Sequence, residues 1–111
     1  MAIKDYPRCS QDALRLVADY WVLRIVEELS LAEAGLRFST LQRELGGASP
    51  ATLSNRLRRL EESALVTREG TAGKLSVVYA LSGRGTRVLP VIHAINDFAL
   101  GKTQSSTSPS T

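Results

Sequence analysis

Cysteine is almost missing from this chain: Cys9 is the only one in 111 residues. A single thiol excludes an internal disulfide framework and a multi-cysteine zinc site, so any disulfide would have to join two chains. Histidine is equally scarce. His93 stands close to the apolar side of the last amphipathic segment, and only Asp97, at i+4, shares its helical spacing. That favours a packed or interface histidine over a metal ligand, and neither a metal nor another cofactor is expected. No window approaches the roughly 18 consecutive apolar residues of a membrane span. The opening "MAIKDYPRCS" also lacks the apolar core of a secretion signal, so a cytoplasmic location is expected. Glycine-rich phosphate loops and carboxylate pairs are absent, and the sole histidine lies 84 positions from Cys9. A thiol enzyme would have no base at hand, and the chain is not expected to be an enzyme.

What is present suits one small folded domain. Hydrophobic residues make up 43% of the chain and charged residues 23%, a balance that favours folding over disorder. The expected domain covers residues 1–100. Residues 101–111, "GKTQSSTSPST", hold no apolar anchor and are read as a disordered tail. The net charge is only +3, but its distribution is uneven. Residues 1–36 hold four basic and six acidic side chains, residues 37–74 seven and four, and residues 75–111 three and one. Positive charge therefore gathers in the middle of the chain, which suits a polyanion partner.

Helical spacing is clear in "SQDALRLVADYWVLRIVEELS", where Leu14, Val17, Trp21, Ile25 and Leu29 form one stripe. Ser10 and Asp19 are read as N-caps of two successive helices, the second running to about Leu31. In "FSTLQREL", Ser39 and Gln42 have the spacing of a reciprocal capping box, which predicts a short helix starting at Ser39. Gly46 and Gly47 stop it, and Ser49 with Pro50 supplies the N-cap and first residue of the next. A helix, a short glycine-containing turn and a second helix make the helix-turn-helix pattern, though the same pattern joins helices in ordinary bundles. "LVTRE" and "KLSVVYALS" around "GTAG" predict a β-hairpin. Ser82 then caps a last helix with an apolar stripe at Val88, Val91, Ile92, Ile95 and Phe98, and Pro90 is expected to bend it or fall in its first turns. The predicted class is α+β, mainly α: a winged helix-turn-helix with an extra N-terminal helix and a long C-terminal dimerisation helix.

The stretch "GGASPATLSNRLRRLEE" is both basic and apolar. At about 100° per residue, Leu53, Leu57 and Leu60 form a seam that docks the helix on the core. Ala51, Thr52, Asn55, Arg58, Arg59 and Glu62 lie opposite, with Arg56 at the edge, and Arg59 projects most squarely outward beside Asn55. Such a face fits the DNA major groove, where arginine pairs bidentately with guanine and asparagine with adenine. Ser49, Pro50 and Ala51 allow close approach, and the free N–H groups of the helix start suit a phosphate. Arg58 and Arg59 are equally able to hold phosphates, with Arg56 read as a backbone contact. Ser39 on the preceding helix, Arg68 at the base of the hairpin and Lys74 in its loop complete the DNA-contact candidates. The competing reading is a solvated face whose arginines pair with Glu61, Glu62 and neighbours. A related alternative is a winged-helix module that binds protein, although a polar, basic face suits that less well.

The cysteine before the first helix, the tryptophan in "ADYWVLRIVEEL", the run "LRFSTLQRELGGASPATLSNRLRRLEESALVTR" and "VVYALSGRGTRVLPVI" together resemble the HxlR family of bacterial and archaeal winged-helix transcription regulators. The resemblance runs from Cys9 to about Leu100. It implies a homodimer built from the first and last helices that binds double-stranded DNA at a roughly palindromic operator. Leu14, Val88, Val91, Ile92, Ile95 and Phe98 are then the interface candidates, and repression is the default mode for so small a dimer. Some members sense oxidants or electrophiles through an N-terminal cysteine, which makes Cys9 the redox candidate. A small-molecule effector is the other trigger that the resemblance allows.

Overall fold

The computed structural model describes residues 10–70 and 77–101. Chain order is α1 (Gln11–Val17), α2 (Tyr20–Ser30), β1 (Leu36–Arg37), α3 (Phe38–Leu45), α4 (Pro50–Glu62), β2 (Val66–Glu69), β3 (Val78–Leu81), a 3-10 turn (Gly85–Val88) and α5 (Leu89–Ala99). The architecture is a winged helix-turn-helix, mostly helical with one small antiparallel sheet. Of the tail, only Gly101 is among the described residues.

Two predicted caps start the chain. Ser10 Oγ accepts the Ala13 N–H at 3.2 Å and opens α1, and Asp19 Oδ1 accepts the Val22 N–H at 3.0 Å and opens α2. The buried positions of α2, Val22, Ile25, Val26 and Leu29, meet Leu41 and Leu45 of α3 and the α4 seam of Leu53, Leu57 and Leu60. Leu65, Val66, Val88 and Ile92 close the core from the sheet and α5. Each side chain removed from water there contributes about 1.5–3 kcal/mol. The stripe predicted across α1 and α2 is only partly core. Ile25 and Leu29 are buried and Val17 and Trp21 half-buried, while Leu14 is exposed.

The start of α3 corrects the capping-box prediction. Leu36 and Arg37 pair with Tyr79 and Val78 as a short third strand, so extended backbone persists to Arg37. The helix therefore begins at Phe38, Arg37 holds the cap position without a side-chain bond, and Ser39 lies inside the first turn. Sheet pairing has outcompeted local cap chemistry. At the other end the prediction holds: Gly46 takes a left-handed conformation at φ 58°, and its N–H closes on Gln42 O.

The sheet order is β1-β3-β2, with Val66 opposite Leu81 and Glu69 opposite Val78. After β3, Ser82 Oγ accepts the Gly85 N–H at 2.9 Å and donates to Ala64 O at 2.7 Å. Ser82 thus caps the 3-10 turn ahead of α5 instead of α5 itself, and Pro90 falls in the first turn of α5. Gly85 packs so closely that a Cβ there would collide with the Leu65 carbonyl oxygen. That contact seats the start of the last helix against the strand leading into the wing.

Candidate nucleic-acid interface

The turn between α3 and α4 presents α4 by its N-terminus. Ser49 Oγ accepts the Thr52 N–H at 3.1 Å and donates to Thr52 Oγ1 at 3.0 Å, and Pro50 occupies the first turn, where no N–H is needed. Ser49, Pro50 and Ala51 are exposed there. With all three seam leucines buried, the orientation of α4 is fixed and its other faces are left to solvent.

The arginines are not equivalent. Arg58 is exposed, and among the described residues no acidic side chain pairs with it. Arg56 Nε sits 3.3 and 3.1 Å from the two carboxylate oxygens of Asp19, and its Nη1 donates to Asn55 Oδ1 at 3.0 Å. Arg59 Nη1 lies 3.4 Å from Asp19 Oδ2, and its Nη2 reaches Arg15 O at 3.5 Å. This corrects the projection that set Arg59 most squarely outward: its side chain is 35% exposed and leans against the α1–α2 junction. The guanidiniums of Arg56 and Arg59 engage Asp19, not Glu61 or Glu62. Thr52 and Asn55 are half-buried beside them.

Asp19 is the residue that sequence reasoning missed as part of this face. It was legible as a helix cap, but its partners stand 37 and 40 positions away, where no local pattern reaches. Burial alone pushes its carboxyl up; the Val22 N–H and the guanidiniums of Arg56 and Arg59 more than offset this and hold it below its ordinary value.

The flanking candidates divide. Arg68 is exposed on β2, and Ser39 is exposed on α3. Lys74 and Cys9 lie outside the described residues. Of the interface candidates, Val88 and Ile92 are core residues, whereas Leu14, Val91, Ile95 and Phe98 are exposed. His93 is exposed, and among the described residues no three His, Cys, Asp or Glu side chains gather as a metal site. No helix of the described residues is long and apolar enough to cross a membrane.

The family model described as HxlR-like helix-turn-helix matches residues 16–107. The chain belongs to the HxlR-like helix-turn-helix family. Among solved structures, it is similar to the reduced form of the transcriptional regulator YodB from B. subtilis, with 24% identity and a TM-score of 0.72 over 84% of this chain and 92% of that one. Quinone-bound YodB from the same organism gives 25% identity and a TM-score of 0.69 over 80% and 92%. A Thermoplasma volcanium GSS1 protein described as "a possible HxlR family transcriptional factor" gives 22% and 0.68 over 89% and 94%. No curated protein matches the chain. As an HxlR-like chain, it is a helix-turn-helix transcription regulator, with α3 and α4 forming the helix-turn-helix and β2–β3 the strands of the wing.

Proposed function

We propose that this HxlR-like chain is a sequence-specific repressor that binds a roughly palindromic operator as a homodimer. The observation that carries the reading is α4 itself. Its leucine seam is fully buried while Ser49, Pro50, Ala51 and Arg58 stand open at the start and outer side of the same helix. A helix so presented enters the major groove with its N-terminal half toward the bases, and Thr52 and Asn55 lie within that half. Arg58, Arg68, Ser39 and Lys74 serve as backbone contacts. Arg56 and Arg59 flank the reading surface.

The exposed apolar residues Leu14, Val91, Ile95 and Phe98 on α1 and α5 support pairing of two copies, with recognition helices about 34–36 Å apart. Repression is the mode proposed, because a dimer seated on its operator obstructs polymerase. The quinone-bound form of YodB supports an electrophile or oxidant as the trigger, with Cys9 as its target. With one thiol per chain, that switch is an adduct or a disulfide between subunits. A cavity of about 410 Å³ between α2 and α5, lined by Tyr20, Leu23, Ile92 and Ile95, supports a small-molecule effector as the other route.

Gel-shift titration against the upstream DNA of the chain's own gene, at several salt concentrations, tests the reading. The expected result is strong preference over random DNA and a linear fall of log affinity with log salt. Arg58→Ala should flatten that slope by roughly 0.9 for each phosphate that Arg58 neutralises. Treatment with a quinone should release wild-type protein but not Cys9→Ser. Equal affinity for random DNA would remove the sequence-specific regulator, and release of both proteins by quinone would remove the Cys9 trigger.

A further inference from the structure

Asparagine at a reading position normally pairs with adenine, because its amide offers one acceptor and one donor to the N6 and N7 edge. In Asn55 one of the two lone pairs of that acceptor is already engaged. A guanidinium has only donors, so the end of the amide that meets Arg56 Nη1 at 3.0 Å is the oxygen. Arg56 is in turn held at Nε by both oxygens of Asp19, at 3.3 and 3.1 Å, with its side chain 28% and that of Asp19 18% exposed. The relay Asp19–Arg56–Asn55 therefore draws the amide oxygen toward Arg56, and the NH2 group, at the other end of the amide, makes no hydrogen bond among the described residues. Two N–H donors match guanine, the base whose major-groove edge carries two acceptors, N7 and O6.

We propose that Asp19 is a positioning residue for base reading: through Arg56 it biases Asn55 toward donating, so that this position prefers guanine, with two acceptors, over adenine, with one. The proposal rests on the reading of α4 as the base-reading helix and adds the base that one of its side chains prefers. Asp19 acts without touching DNA, from the cap of a different helix.

Selection of binding sites from random duplexes by the full chain tests it. Asn55→Ala identifies the base pair that Asn55 reads as the one whose preference relaxes. Wild type is expected to select guanine there. Asp19→Asn keeps an oxygen to cap Val22 but loses the charge that holds Arg56, while Arg56→Lys keeps the cation near Asp19 but cannot span to Asn55. Both are expected to lower the guanine preference about fivefold or more and to admit adenine, at unchanged selection elsewhere. Thermal melts of the same samples establish that each variant is folded. Selection of adenine by wild type, retention of the guanine preference in both variants, or no relaxation in Asn55→Ala would overturn the relay. A wild-type chain that selects no consensus overturns the reading of α4 itself and takes the relay with it.

Discussion

Asp19 carries two structural duties at once: it caps α2 through Val22 and it neutralises guanidinium charge from Arg56 and Arg59. Its carboxyl is depressed in the folded chain, so its favourable contribution is complete above the unfolded value, about 3.9, and is lost as pH falls through the folded value. The stability difference between wild type and Asp19→Asn, read from urea midpoints, should be flat from neutral pH to about 5 and shrink below it. A difference that widens on acidification would contradict the assignment. The cap is visible in the sequence because Asp before a periodic apolar run obeys a local rule. The arginine partnership is not, and so the sequence sets Arg59 facing outward. A helical projection knows only the helix's own axis and nothing of the neighbour that shares its flank.

Among the elements, those with their own punctuation are legible. Ser10, Asp19 and Ser49 cap α1, α2 and α4, and Gly46 ends α3, as local side-chain and backbone chemistry dictates. β1 escapes a sequence reading because two residues, Leu36 and Arg37, are too short to display alternation, and their pairing with β3 is set by residues about 40 positions later. The same pairing displaces the expected start of α3. Gly85 marks another long-range constraint: an added Cβ would meet the Leu65 carbonyl, which is backbone and cannot swing aside. Gly85→Ala should cost about 1–3 kcal/mol, seen as a lowered denaturant midpoint with little change in slope. Stability equal to wild type would mean that the 3-10 turn and the strand before it separate without cost.

Across the described residues, one aliphatic core is buried while α5 leaves much of its apolar surface outside it. Phe98 is 86% and Ile95 48% exposed, although both belong to the stripe read from the sequence. Periodicity shows that a helix has an apolar side but not whether its own domain or a second copy covers it. Ile95→Asp should give a monomer with weakened operator binding, measured by sedimentation and gel shift together. An unchanged dimer would remove α5 from the interface. α1 adds to this picture, for it buries no residue among those described and at seven residues is far below the length at which a helix holds itself together. With a second copy seated on α1 and α5, folding and assembly draw on the same surface. Mass action then ties the melting temperature to protein concentration, so that dilution alone weakens the fold. Under the proposed pairing, abundance is itself a source of stability for such a regulator.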